Sequence, residues 1–427
     1  MRIGLFTDTY LPINNGISFV VQLTRNGLEA LGHEVYIFAP SPEMGYEEED
    51  SHIIRFRAIK GVTYEDDLTS VFFPPLQLQK INKLDLDVIH FFTPNQIGLL
   101  GLMAGLRYDI PVIAQYSTDI YQYVDYYPAA EKVLLAFPIA APIVLKGRLK
   151  KWGRAIGSIP DDRRMKTWIK RLTAEYLTSM HDKCSAVIVL SRKHKAQLES
   201  WNTHTDLLLM PTGVDPLAPP TDVEVIEFKK HYGIKKSEKV ILYAGRISKE
   251  KNLDLILDAF VNYIAPKHEN IKLMYAGDFD YKEELEQKAH ASGFSERIIF
   301  TGRYQREQAG VIYQSADVFA FPSLTDTQGL VLHEAAWAGL PLVLCDSEVS
   351  EIFHDGENGL LAENEPEDYA KKLLGILLDK KLHTKMSNTS RKYASQFTEA
   401  RQIADLEKIY KNAIKNPKKI QFAGGEW

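Results

Sequence analysis

The feature that most constrains this chain is a strand–helix–strand rhythm that runs from its first residues and begins again in its second half. "RIGLFT", from Arg2 to Thr7, reads as a buried strand and "DTYLPINNG" as a loop. Ile17, Val20, Val21, Leu28 and Leu31 then mark one face of a helix that Gly32 can end, and "HEVYIFAP" is the next strand. Two strands joined through a helix form a βαβ unit, which demands a parallel sheet with a right-handed crossover. Further strand-like runs come at "LDVIHFF", "IPVIAQYS" and "SAVIVLS", spaced widely enough for helices between them.

After "LLLMPTGVDP" the rhythm restarts. "KVILYAGR", "IKLMYAGD", "RIIFTGR", "DVFAFPS" and "LPLVLCD" alternate with helical patterns such as "NLDLILDAFVNYI" and "PEDYAKKLLGILL". At 427 residues the chain exceeds the usual size of one core, so two doubly wound α/β halves are expected, with the Pro- and Gly-rich "PTGVDPLAPP" as hinge. A net charge of -5 gives no global case for a nucleic-acid partner. Cys184 and Cys345 lie far apart without paired Cys/His spacing, which suggests neither a zinc site nor a disulfide framework and fits a reducing, cytoplasmic compartment. The opening "MRIGLFTD" lacks the parts of a signal peptide, and no run reaches the roughly 18 to 20 apolar residues of a membrane span.

Open α/β sheets bind ligands beyond the carboxyl ends of their strands, so the loops that follow strands carry the functional information. "TDTYLPINNGI" brings Gly16 to a helix start, where backbone N–H groups can receive an anion; a plain Asn-Gly turn reads the same, and G-x-G-x-x-G spacing is absent. "AGRISKEKNL" sets Gly245, Arg246 and Lys251 beyond a strand, two cations suited to a diphosphate, although Lys249 and Glu250 also fit a solvated loop. Gly277 in "AGDFD" and the "TGRYQ" segment allow close backbone approach. Finally, "LTDTQGLVLHEAAWAG" places Asp326 before a helix expected to begin near Gln328 or Gly329, and Glu334 on its second turn. An N-cap explains the first acid as well as a ligand does. The second lies in a helix that is apolar almost all round, where a carboxylate needs partners that sugar hydroxyls could supply.

That pair of acids followed by "AAWAGLPLV", together with "YAGRISKEKNL", "LPINNGIS", "MPTGVD" and "DGENGLL", resembles retaining GT-B glycosyltransferases of family four along almost the whole chain. The resemblance implies an α/β fold of two Rossmann-like domains facing a central cleft. Residues 1–212 would bind the acceptor and 213–397 the nucleotide sugar, with a helix at about 398–418 packing back on the first domain. It implies that Glu334 binds the donor ribose and that Arg246 and Lys251 bind the diphosphate. Gln328, Gly329 and Leu330 would meet the sugar and phosphates, with Gly16, Gly245, Gly277, Arg303, Tyr304 and Asp326 completing the donor site.

"DTYLPINNG", "GHEVYIFAP" and "TDTQGLVLHEAAWAG" look most like the members that act on diacylglycerol or related lipids, which points to a hexose donor such as UDP-glucose and no further cofactor. Asp326 stands where glutamate is usual, and Phe92 and Ser117 where that subgroup has histidine; His90 and Asp119 remain. In the retaining reaction so implied, Arg246, Lys251 and the helix start stabilise the departing diphosphate, whose oxygen takes the acceptor proton without a metal. Double displacement through Asp119 is the other route. A soluble or polysaccharide acceptor, or nucleotide-sugar binding without catalysis, are the alternatives; an NAD-dependent oxidoreductase is more distant.

The acceptor and an anionic membrane surface are expected on the first domain. His90, Ser117 and Tyr121 are the acceptor candidates. "VLLAFPIAAPIVL" is followed by Lys146, Arg148, Lys150, Lys151, Arg154, Arg163, Arg164, Lys166, Lys170 and Arg171, with Trp152 and Trp168 among them. Basic and aromatic residues beside an apolar run suit anionic headgroups, and a buried helix followed by a solvated one is the alternative.

Overall fold

The apolar runs become strands of two parallel sheets. The computed structural model describes residues 1–60, 68–71, 74–126 and 165–418. The chain divides into one unit of Met1–Met210 with Ala400–Trp427 and a second of Pro211–Glu399.

The first unit holds β1 (Arg2–Phe6), β2 (Glu34–Pro40), β3 (Ile53–Phe56), β4 (Ala58–Lys60), β5 (Leu68–Ser70), β6 (Val88–Phe91), β7 (Val112–Tyr116), β8 (Ala186–Val189) and β9 (Leu207–Leu209). β4 and β5 form a small antiparallel ribbon, and the rest make a sheet in the order β3-β2-β1-β6-β7-β8-β9. Every strand pair in that sheet is parallel, which is why β6, β7 and β8 are buried along their whole length. Glycine lets the Gln96–Tyr108 helix approach closely: a Cβ at Gly98 would stand 1.8 Å from the Thr93 carbonyl oxygen. The first helix runs Gly16–Ala30 and closes one residue before Leu31, so Leu31 is 48% exposed rather than on the buried face expected for it.

The C-terminal helix, Glu399–Lys415, buries Ile403, Leu406, Tyr410 and Ala413. Ile403 sits over Gly27, where a Cβ would come within 2.5 Å of it, and Glu407 meets His33 at 2.9 Å. Beyond it, the Lys418 ammonium donates to the carbonyls of Asp182 and Cys184. The helix is thus part of the first unit's core.

The second unit holds β10 (Lys239–Ala244), β11 (Ile271–Ala276), β12 (Ile298–Gly302), β13 (Val318–Phe321), β14 (Leu342–Leu344) and β15 (Gly359–Leu361), all parallel in the order β12-β11-β10-β13-β14-β15. The order reverses at β10. Helices leave opposite faces of the sheet there, so a crevice opens beyond the carboxyl ends of β10 and β13.

Candidate functional site

The β10 loop begins with a backbone that only glycine tolerates. Gly245 has φ 139° and its N–H donates to the Ala276 carbonyl at 2.9 Å. Gly277, at φ 146°, lies so close that a Cβ there would stand 1.9 Å from the Gly245 oxygen. Two strand ends are therefore drawn together, and the Tyr243 hydroxyl holds the turn by donating to the Arg246 carbonyl at 2.8 Å.

The loops after β10 and β13 meet through charge. The Lys251 ammonium donates to Asp326 Oδ1 at 2.9 Å and lies 3.6 Å from Glu250, while Arg246 lies 3.3 Å from Glu250 and over the Phe279 ring at 5.2 Å. Glu250 is 4% exposed, which burial the sequence did not reveal, and Lys249 beside it is the solvated residue. Burial would raise the Asp326 pKa, but Lys251, the nearby Ser323 hydroxyl and Arg246 hold it below the usual carboxylate range. Asp326 Oδ2 is buried and closes no hydrogen bond. Two cations and two carboxylates thus stand at the switch point, with an acceptor oxygen to spare. An entering diphosphate could exchange with the carboxylates for the same cations.

Glu334 sits on the helix Leu330–Ala338, which Gly329 precedes at φ 67°. Its two oxygens already have protein partners, Arg306 at 2.8 Å and the Tyr313 hydroxyl at 2.8 Å. Burial outweighs both and raises its pKa. Its burial therefore needs no ligand, and a sugar hydroxyl would have to use a remaining lone pair. Neither Arg306 nor Tyr313 was singled out from the sequence; only the unexplained acid signalled that such partners must exist.

Gln328 is occupied as well. Its side-chain amide accepts from the Thr212 N–H and donates to the Thr212 carbonyl, both at 2.9 Å, so only its backbone can serve the sugar and phosphates expected of it. Leu330 opens the helix, Tyr304 is half-buried, and Arg303 is exposed.

In the first unit, Gly16 is the first residue of its helix, but Asn15 Oδ1 accepts the N–H groups of Ile17 and Ser18 at 3.0 Å each. The donors expected to receive an anion are capped by their own chain. His90 is fully buried, donates or accepts at Nδ1 with Tyr410 at 2.7 Å, stacks on Phe92, and has its pKa depressed to about 3 by burial. It is a core histidine beneath the C-terminal helix, which corrects its reading as an acceptor contact. Asp119, 3% exposed, accepts from Tyr116 at 2.8 Å, lies 3.4 Å from His194, and has Gln197 at 3.3 Å from both oxygens. Those neighbours leave no face open for a nucleophile.

Ser117 and Tyr121 are half-buried; Ser117 accepts from Gln115 at 3.0 Å, and Tyr121 packs on Trp201 at 5.1 Å beneath the Lys170 ammonium at 4.8 Å. Lys150, Lys151, Trp152 and Arg154 lie outside the described residues. Asp8 was missed by sequence reasoning: it accepts from Thr93 at 2.5 Å and from the Ile97 N–H at 2.8 Å, and burial raises its pKa to about 6. Among the described residues, no group of three His, Cys, Asp or Glu side chains could hold a metal, and no helix is long and apolar enough to cross a membrane.

Residues 14–216 match the family described as Glycosyltransferase Family 4, and residues 224–393 that described as Glycosyl transferases group 1. An alpha-monoglucosyldiacylglycerol synthase of Acholeplasma laidlawii is 28% identical over 98% of this chain and 99% of its own length. The Streptococcus pneumoniae protein of the same name is 29% identical over 80% of this chain and 70% of its own. Among solved structures, Anabaena HepE in complex with UDP and glucose is similar with a TM-score of 0.70 at 15% identity, covering 96% of this chain and 100% of that one. Sucrose-phosphate synthase from Thermosynechococcus elongatus has a TM-score of 0.69 at 16% identity, covering 97% and 99%. At such identity these structures share the fold alone, and it is the expected fold: α/β, with two Rossmann-like domains.

Proposed function

The chain belongs to the GT-B glycosyltransferases, a Family 4 domain leading a group 1 domain, and we propose that it transfers a hexose from a uridine diphosphate sugar to the hydroxyl of a membrane lipid such as diacylglycerol, with retention. The observation that carries this reading is the cluster of Arg246, Lys251, Glu250 and Asp326 beyond β10 and β13. The names of the relatives that match over most of the chain support glucose as the sugar and diacylglycerol as the acceptor.

As the anomeric C–O bond lengthens, negative charge grows on the leaving diphosphate, and Arg246 and Lys251 stabilise it. The acceptor oxygen bonds to the anomeric carbon on the face the diphosphate leaves, and its proton passes to the departing phosphate oxygen. Asp326, with an unpaired oxygen, holds a sugar hydroxyl. Its short side chain sets the pose of the sugar against Lys251. The basic run from Lys146 to Arg171 supports a peripheral site on an anionic, cytoplasmic membrane face.

The test is incubation of the purified protein with labelled UDP-glucose, UDP-galactose or GDP-mannose and vesicles of diacylglycerol and anionic lipid, followed by organic extraction. Label from UDP-glucose in the organic phase is the expected result. Label that stays in water with every donor overturns the lipid acceptor.

A further inference from the structure

Lys251 joins the loops after β10 and β13, and the residue that follows it turns the chain with the opposite hand. Beyond β10 the chain makes one tight turn over Lys249–Lys251 and then enters the helix Leu253–Ala259. Asn252 stands between them with φ 59° and ψ 35°, a left-handed conformation that asparagine and glycine adopt more readily than most residues. The reversal leaves Lys251 outside the helix, where its ammonium meets Asp326 at 2.9 Å.

The Asn252 side chain holds this reversal from outside the turn. Its amide nitrogen donates to Asn364 Oδ1 at 2.8 Å, beyond β15, and to the Pro322 carbonyl at 3.3 Å, where β13 ends. The Thr325 hydroxyl donates to the Glu250 carbonyl at 3.2 Å. Glu250, Lys251 and Asn252, successive residues of the chain, are thus each tied to the segment that follows β13. The first and third ties end on a backbone carbonyl. The middle one is the ion pair for which a diphosphate would compete.

We infer that Asn252 is a positioning residue: its left-handed backbone and its bridging amide set where the Lys251 ammonium stands, and through it the grip on the diphosphate. The inference rests on the donor site proposed above. Lysine is a point charge on a flexible stem, so the place of its ammonium depends on the backbone beneath it. Asn252 acts on the nucleotide through Lys251 alone. A residue that only stabilises the fold weakens nucleotide binding by the same factor whether or not the lysine is present. A positioning residue has nothing left to position once the ammonium is gone.

The test is a double-mutant cycle on the full chain, read by calorimetric titration with UDP. Asn252→Gly keeps the left-handed backbone and loses the amide, whereas Asn252→Ala loses the amide and disfavours that backbone as well. We expect the UDP Kd to rise roughly threefold in Asn252→Gly and roughly tenfold in Asn252→Ala. Added to Lys251→Met, either substitution should change Kd by less than about twofold. The urea midpoint of each variant reports the fold separately.

Equal factors in the two backgrounds, or UDP binding unchanged in Asn252→Ala, would overturn the inference and leave the donor site standing. If Asn252→Ala does not fold, Asn252→Gly decides. Wild-type protein that does not bind UDP, or Lys251→Met protein that binds it as tightly as wild type, refutes the donor site and the inference with it.

Discussion

Tyr313→Phe removes one hydroxyl and nothing else from the pocket around Glu334. The side chain of Glu334 is 11% exposed, and its Oε2 accepts from that hydroxyl at 2.8 Å. A buried hydrogen bond to a charged group contributes about 2 kcal/mol, and its loss also leaves a desolvated oxygen. That corresponds to about a 30-fold drop in the ratio of folded to unfolded second unit, or a fall in Tm of roughly 4–8 °C for a domain of this size.

The pH dependence has a definite sign. Burial raises the Glu334 pKa above its ordinary 4.5, so the folded unit binds this proton more tightly than the unfolded chain does. Stability from this group is full below the unfolded pKa and is lost as pH rises through the folded one. Taking away a donor to the ionised form widens that gap. The variant should therefore lose more at pH 8 than at pH 4, which is below the ordinary carboxylate value and where the protonated acid no longer needs the tyrosine. Urea unfolding of wild type and variant at both values, followed by a probe in the second unit, measures this. An equal loss at both pH values, or none at pH 8, would refute the claim that Tyr313 stabilises a buried carboxylate.

Lys251→Met leaves Asp326 and Glu250 without the ammonium between them and removes a cation from the leaving group; steady-state transfer should fall by about 10²–10³-fold. Gly277→Ala drives a methyl to within 1.9 Å of the Gly245 oxygen at a φ of 146°, displacing the β10 loop, and calorimetry should show UDP binding weakened by about tenfold or more. Burial depresses the pKa of His90 to about 3 and those of His181 and His333 to about 4, against an ordinary 6.5. The unfolded chain binds protons that the folded chain refuses, so stability is full above pH 6.5 and is lost as pH falls below it. Asp8, raised to about 6, acts in the opposite sense, as do Glu334, Asp258 and Glu399, whose pKa values burial also raises. Comparison with a variant isolates the histidine contribution: His90→Gln should lose less of its urea midpoint between pH 7 and pH 5 than wild type does.

What was legible in the sequence follows from the range over which each physical signal acts. The alternation of apolar runs and helical faces is local, so the central strands of both sheets could be read directly, though not the edge strands β3, β9 and β15, and the loops that follow β10 and β13 were found because strand ends are where such folds expose function. Side-chain partners are set by tertiary register, and most of them were not legible. His90 stood near the carboxyl end of a strand and read as a contact for an acceptor, yet the residue that covers it, Tyr410, lies 320 positions away. Gln328 read as a sugar contact, and its amide is taken by Thr212, 116 positions earlier. An Asn beside a Gly at a helix start is ambiguous in the same way: the sequence shows donors that need satisfying but not that Asn15 satisfies them.

Glu334 states the limit most clearly. A carboxylate in an apolar helix must be paired, a demand readable from its neighbours alone, but the same demand is met equally by a ligand or by Arg306 and Tyr313. Glu250 errs in the other direction, since between two lysines it looked solvated and is buried. Local composition therefore shows where charge has to be neutralised. Which of those charges a substrate can still reach depends on what remains unpaired after folding, and at the carboxyl ends of β10 and β13 that is Asp326 Oδ2, beside a lysine already shared between two acids.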